Sequence, residues 1–230
     1  VFKAALFRYD GKGQAIVHNQ QELGDAWDSV NRARAVVEGF IDFACEVSVI
    51  VARSPNGDME CFDIVENQHA HHILDVTIAP ARISPETARN AAKTGRAIAE
   101  ALDLVGLVAV EMFVTREGDI LVNEIAPRPH NSGHWTIDSC VTSQFEQMVR
   151  AVCGLPLGSP ARHSNAIMRN LIGDDAHRWG EILESPDTKL HLYGKSEASP
   201  GRKMGHMTRL YPKTVEWSPG EVETALKNWD

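Results

Sequence analysis

Residues 105–136 read VGLVAVEMFVTREGDILVNEIAPRPHNSGHWT, and the fold is decided in this stretch. An apolar run over residues 105–114 and another over residues 119–125 flank Thr115-Arg116-Glu117-Gly118, a turn signal, so the segment predicts two antiparallel strands. Each strand carries one acid at a matched place, Glu111 and Glu124. Hard oxygen donors on facing strands suit Mg2+, which is commonly held by one or two carboxylates plus substrate phosphates. Strand alternation alone would instead put both acids in water, and the pattern leaves both readings open. The residues that follow add weight to a site. Arg128, His130, Asn131, Ser132, His134 and Thr136 crowd between prolines and a glycine, a stiff loop rich in hydrogen-bonding groups that reads as a binding loop rather than a bare connector. Arg128 is built to clamp a phosphate or carboxylate through two N–H groups.

Upstream, residues 1–6 predict a strand, Tyr9-Asp10-Gly11-Lys12-Gly13-Gln14 a glycine hairpin, and residues 15–17 the returning strand. Glycines let backbone N–H groups approach an anion and Lys12 adds charge, so the hairpin is a candidate phosphate cover. It is no Walker A motif, because Lys12 is not followed by Ser or Thr, and Asp-Gly is also an ordinary hairpin turn. Lys3 is the other candidate phosphate lysine. Leu23, Ala26, Trp27 and Val30 give residues 20–31 helical spacing. Strands are expected at residues 35–38, 46–52 and 59–65, the last two joined by a turn over residues 54–58. Ser84 as cap and Pro85 at the first helical position open a helix over residues 85–102. A further helix is expected over residues 143–152, and the turn-rich residues 154–160 mark a domain boundary. Short strands at residues 166–171 and 189–192 make the remainder β-rich.

Composition is that of an ordinary globular chain: 230 residues, 43% hydrophobic, 23% charged, net charge −8. Interleaved charges favour neither nucleic acid nor an anionic membrane as partner. No apolar run reaches the ~20 residues needed to span a bilayer. Cys45, Cys61, Cys140 and Cys153 form no CxxC pair, which predicts free thiols in a reducing, cytoplasmic setting. His69, His71 and His72 are expected on a loop without convergent partners, so no transition-metal site is read there. Glu38-Gly39-Phe40-Ile41 followed by Glu46 offers backbone groups and a carboxylate for an adenine edge and a ribose. Lys195 and Arg202-Lys203 form a basic, glycine-flanked stretch able to hold a substrate phosphate or to be a solvated turn.

Taken in order, Lys3, the Tyr9–Gln14 hairpin, Glu38–Ile41 with Glu46, Asn67 with His69, Glu111, residues 123–136, Tyr193-Gly194-Lys195 and Arg202–His206 resemble the N5-carboxyaminoimidazole ribonucleotide synthetase family over essentially the whole chain. The resemblance implies an α+β ATP-grasp fold over residues 1–157, N-terminally truncated, and a small C-terminal β-rich domain over residues 158–230. It implies an ATP- and bicarbonate-dependent ligase that forms carboxyphosphate and carboxylates 5-aminoimidazole ribonucleotide, with ATP and Mg2+ as cofactors and a homodimer left open. On that basis Glu111 and Glu124 are metal ligands and Tyr9, Asp10, Arg128 and Lys195 are catalytic. Lys3, Arg8, Tyr9, Asp10, Gly11, Lys12, Gly13, Gln14, Glu38, Gly39, Phe40, Ile41, Glu46, His69, Asn123 and Glu124 bind the nucleotide. His130, Asn131, Ser132, Lys195, Arg202 and Lys203 bind the substrate. Two departures stand out: Arg8 occupies a position where the family has glycine, and the family's N-terminal domain is absent, so weak Mg-ATP binding and poor turnover are expected of this piece alone. Other ATP-grasp ligases, formate-dependent glycinamide ribonucleotide transformylase-like or biotin-carboxylase-like, and an inactive nucleotide-binding fragment are the alternatives.

Overall fold

The computed structural model describes residues 1–4, 13–217 and 219–227 and divides into two compact units. The first comprises Val1–Asp42 with His69–Ile73. Its strands β1 (Phe2–Ala4), β2 (Gln14–Ala15) and β3 (Ala35–Val37) form an antiparallel sheet with β1 central. Helix α1 (Leu23–Ser29) is preceded by a 3-10 turn over Gln20–Glu22, where the Asn19 side chain accepts from Gln21 N–H. The helix expected over residues 20–31 therefore stops sooner, because Asn31 and Arg32 both take left-handed φ of 55°.

The second unit holds Phe43–Gln68 and Leu74–Asp230. Its nine-stranded sheet contains β4 (Phe43–Arg53), β5 (Met59–Cys61), β6 (Val65–Ala70), β7 (Ile73–Ala79), β8 (Gly106–Thr115), β9 (Ile120–Ala126), β10 (Ser164–Ile172), β11 (Thr188–Leu192) and β12 (Lys203–Pro212). The order is β11-β12-β10-β7-β6-β4-β8-β9, with β5 beside β4. Strands β10 to β12 thus continue the sheet begun by β4 to β9. The single strand expected over residues 59–65 is two, β5 and β6, separated at Phe62–Ile64. The expected loop around the histidines is instead a strand pair: His69 is the last residue but one of β6, and His71 and His72, with φ of 51° and 64°, form the two-residue turn into β7. Left-handed φ at both central positions is what a tight hairpin of this twist demands.

The helices that complete this unit are α2 (Pro85–Ala101), α3 (Thr136–Ser139), α4 (Gln144–Val152), α5 (Trp179–Ile182) and α6 (Pro219–Lys227). Ser84 caps α2, accepting from Thr87 N–H at 3.0 Å, with Pro85 in the first turn. The α2 residues Thr87, Ala91, Gly95 and Ala99 are buried at four-residue spacing, a smooth face that lets the helix lie close on β4 and β8. A Cβ at Gly95 would sit 2.6 Å from Val49 Cγ1, so that close approach depends on glycine. On this side Val47, Val49, Val51, Val108, Val110 and Met112 form the core, while Ile50, Ala52, Val65, Ala109 and Trp135 pack on the opposite side. Alternation along the strands separates the two sets. A third cluster joins Val222 and Ala225 of α6 to Val76, Ile78, Ile167 and Met207. No helix among the described residues is long and apolar enough to cross a membrane.

Candidate active site

In the β8–β9 ladder Glu111 lies directly opposite Glu124, and the register shifts at the next step so that Met112 pairs with Val122. Asn123 is the extra residue, a bulge of the kind that re-aims side chains beside functional sites. Like charges directly across a ladder destabilise it, so this pair is a local cost unless a cation lies near. Glu111 is 22% exposed at its side chain and Glu124 is exposed, leaving both reachable from solvent. The donor set is carboxylate oxygen, which fits Mg2+ and not a softer metal.

A buried polar chain runs from the sheet interior to Glu111. Thr77 Oγ1 donates to Asn67 Oδ1 at 3.1 Å, Asn67 Nδ2 donates to Ser48 Oγ at 2.9 Å, and Ser48 Oγ donates to Ser132 Oγ at 2.7 Å. Thr77, Asn67, Ser48 and Ser132 are all buried. Ser132 also contacts His130: its Oγ is 2.9 Å, and its backbone N–H 3.3 Å, from His130 Nδ1. A backbone N–H can only donate, so Nδ1 accepts and the neutral ring carries its proton on Nε2. That nitrogen faces Glu111 Oε1 at 3.6 Å. His130 Nε2–H therefore points toward the Glu111 carboxylate from just beyond hydrogen-bond distance, and the chain behind it fixes the ring.

The expected loop after Glu124 is partly helical, with a 3-10 turn over Asn131–Gly133 and then α3. It is anchored by Gln144, fully buried at the start of α4. Gln144 Oε1 accepts from His130 N–H at 2.9 Å, and its Nε2 donates to His130 O at 2.8 Å and faces His134 Nδ1 at 3.0 Å. Gly133 makes this packing possible, since a Cβ there would collide with Ile50 Cδ1 and with the Gln144 amide.

His134 begins a stack of imidazoles. Its ring lies 4.8 Å from His206, which lies 4.6 Å from His191. Asp138 Oδ2 takes His191 Nε2 at 2.9 Å, and the Tyr193 hydroxyl meets His206 Nδ1 at 2.9 Å. Burial, then the neighbouring histidines, pushes His206 down to about 3. Burial, with lesser pushes from His191 and Lys203, takes His134 down to about 4. Burial also raises Tyr193 to about 12. Asp138, His191 and His206 bring ligand atoms within 4.8 Å of one another. The His191 and His206 rings are nearly parallel at 15°, so their in-plane lone pairs cannot converge on one ion, and the group is a hydrogen-bonded stack. Lys195 Nζ sits 5.6 Å from the Tyr193 ring centre and donates to Lys203 O at 2.5 Å. Lys195 and Arg202 are exposed, and Arg202 Nη1 donates to Glu197 O at 2.9 Å. Arg128 is exposed, with Nη1 on Pro129 O at 3.0 Å.

In the first unit Lys3 is not the solvated strand lysine that its position allows. It is 7% exposed, and its Nζ lies 2.6 Å from Glu38 Oε2. Gln14 is opposite Lys3 in the ladder, and Gly13 O accepts from Ala4 N–H at 2.8 Å. Glu38, Gly39 and Phe40 are exposed and Ile41 is half-buried; His69 is exposed. Glu46 belongs to the second unit, opposite Asn67. Arg8, Tyr9, Asp10, Gly11 and Lys12 lie outside the described residues.

Sequence reasoning missed Ser48, Asn67 and Thr77 as a chain, and it missed Gln144. A signal existed for two of them. Ser48 interrupts an otherwise apolar run, and Gln144 and Gln147 occupy the buried stripe of α4.

Residues 1–145 match the family model of the ATP-grasp domain. The chain belongs to the ATP-grasp family. Behind that ATP-grasp region, residues 166–217 match the phosphoribosylaminoimidazole carboxylase C-terminal domain. The chain is 48% identical over 217 residues to N5-carboxyaminoimidazole ribonucleotide synthase of Brucella melitensis, covering 94% of this chain and 60% of that protein. It superposes with TM-score 0.90 on carboxyaminoimidazole ribonucleotide synthase of Aspergillus clavatus complexed with ATP, at 32% identity, covering 99% of this chain and 60% of that one. The Aspergillus clavatus enzyme in complex with ADP and 5-aminoimidazole ribonucleotide gives TM-score 0.89 at 31% identity, again covering 99% and 60%. The chain thus spans about 60% of the length of these ATP-grasp relatives.

Proposed function

We propose that the chain supplies the nucleotide-binding and phosphoryl-transfer part of an N5-carboxyaminoimidazole ribonucleotide synthase. The observation that carries this is Glu111 directly across from Glu124, with His130 Nε2 at 3.6 Å from Glu111, in a chain whose relatives bear that name. In the proposed reaction bicarbonate oxygen attacks the γ-phosphorus of ATP, giving ADP and carboxyphosphate. The amine of 5-aminoimidazole ribonucleotide then takes the carboxyl group, losing a proton, and phosphate leaves. When bound, Mg2+ would add positive charge against the phosphate oxygens. Glu111 and Glu124 would hold it, with Asn123 beside them. Lys3, Gly13, Gln14, Glu38–Ile41, Glu46 and His69 are assigned to the nucleotide, together with Arg8–Lys12. Arg128, His130, Asn131, Ser132, Lys195, Arg202 and Lys203 are assigned to the carboxyphosphate and the ribonucleotide; Tyr9 and Asp10 join Arg128 and Lys195 as catalytic. The work is positioning and charge neutralisation, as phosphoryl transfer requires.

Residues 1–157 are taken as the ATP-grasp part and 158–230 as the small C-terminal part, supported by the separate family matches. The free thiols at Cys45, Cys61, Cys140 and Cys153 support a reducing, cytoplasmic setting. The resemblance is the support for a homodimer, which sedimentation would reveal as twice the chain mass. The deciding experiment is ADP release measured with bicarbonate and 5-aminoimidazole ribonucleotide supplied singly and together. Release that needs both supports the reading. Release that ignores the ribonucleotide in favour of another amine or formate overturns it.

A further inference from the structure

Gln144 leaves its neighbours no choice of proton position. Its amide is gripped by one backbone unit: the His130 N–H can only donate, so Oε1 faces it, and the His130 carbonyl can only accept, so Nε2 faces that. An amide held at both ends cannot be turned over. The same Nε2 lies 3.0 Å from His134 Nδ1, and an amide N–H can only donate. Nδ1 of His134 must therefore be the bare nitrogen, and the proton of the neutral ring sits on Nε2. The low affinity of this buried ring for a second proton keeps it neutral near pH 7.

The Nε2–H of His134 has no hydrogen-bond partner among the described residues. The ring is half-buried rather than sealed. It is clamped between Phe145 at 5.6 Å and His206 at 4.8 Å, with Tyr193 edge-on at 6.2 Å. It lies within the field of Lys203, in the cluster that also holds Tyr193 and Lys195. A donor of fixed direction, on an immobilised ring beside cations, is suited to an anionic oxygen. We propose that His134 is a positioning and specificity residue, a neutral Nε2–H donor to an anionic oxygen of the ribonucleotide, with its tautomer dictated by Gln144. A charged imidazolium would bind any anion. A neutral donor of fixed direction discriminates by geometry.

The ligand half of this inference rests on the proposed function; the tautomer half does not. The test uses the whole chain with 15N-labelled histidine, followed by NMR across pH 5 to 8, and titrations with 5-aminoimidazole ribonucleotide, with inorganic phosphate and with a Mg-ATP analogue. His134→Asn keeps an acceptor toward Gln144 but removes the distal donor, and His134→Gln restores a donor of similar reach. The expected results are a bare Nδ1, an Nε2–H signal moved by the ribonucleotide, affinity lower by about 10-fold or more in His134→Asn, and substantial recovery in His134→Gln. A shift with phosphate as well assigns the oxygen to the ribonucleotide's phosphate. A shift with the ribonucleotide alone assigns the contact to a neutral ribose hydroxyl or to the imidazole and overturns the anionic part of the inference, because the phosphate carries that molecule's only anionic oxygens. A proton on Nδ1, a signal moved only by the ATP analogue, or wild-type affinity in His134→Asn overturns the inference. Wild-type chain that binds no ribonucleotide overturns the proposed function and the ligand assignment together, while the tautomer is still decided by the spectrum.

Discussion

Glu111 and Glu124 face each other across one rung of the β8–β9 ladder, with the Asn123 bulge at the next step. Without a cation their repulsion is a cost to the sheet, so Glu124→Gln should leave the fold intact and slightly stabilise the metal-free chain, by about 0.2–1 kcal/mol. The same change should abolish Mg-dependent binding of an ATP analogue. Calorimetry reads the binding and urea unfolding the stability. Unchanged affinity would remove Glu124 from the metal site.

Ser48→Ala should destabilise out of proportion to the atom removed. Ser48 Oγ receives Asn67 Nδ2 and donates to Ser132 Oγ, so its loss strands the buried Asn67 amide and takes one of two partners from Ser132 Oγ, at about 1–3 kcal/mol. Ser132 Oγ would be held less firmly against His130 Nδ1, and the metal-dependent step should weaken with it. A double-mutant cycle with Ser132→Ala should show coupling, whereas additive losses would mean that the chain is not a unit.

Acid should unfold the second unit through its histidine stack. The folded-state values of His134 and His206 lie at about 4 and about 3, below the ordinary 6.5. The unfolded chain therefore binds more protons in the interval, and stability falls as pH drops from about 6.5 towards 3. The contribution is fully present above that range. Urea midpoints measured from pH 7 to 4 should fall less steeply in His206→Asn than in the wild type.

Two glycine substitutions should separate packing from site. In Gly95→Ala the new methyl meets Val49 Cγ1 at 2.6 Å, and this overpacking should cost about 1–3 kcal/mol without altering ligand affinity. Gly133→Ala pushes on Ile50 and on the Gln144 amide, so stability and ribonucleotide binding should fall together. Equal affinities in the two variants would show that the Gln144 anchor does not position the site.

The strand pair carrying Glu111 and Glu124 was legible because its turn and its alternation are local. Helix α2 was legible because Ser84 and Pro85 announce it. Strand β7 was not, since the tight turn before it is made by His71 and His72 and not by the Asn-Gly or Gly-Gly that announce such a turn, and its other neighbour, β10, begins only at Ser164. The break between β5 and β6 was equally hidden, because both segments are apolar enough to read as one. Single residues of the site could be named from motif order. Their connections could not: the steering of His130 by Ser132, and of His134 by Gln144, depends on a helix start 14 residues beyond His130 in one case and on a serine 84 residues before Ser132 in the other.

The continuous sheet also sets a timetable for synthesis. Ala79 on β7 finds its neighbour Ala166 on β10 only after the intervening chain has been made. At ribosomal rates that interval is on the order of ten seconds. During it the β7 margin is an unpaired edge, open to other nascent chains. The C-terminal strands therefore act as a late-arriving closure for the ATP-grasp sheet, and a chain released before β10 would be expected to aggregate.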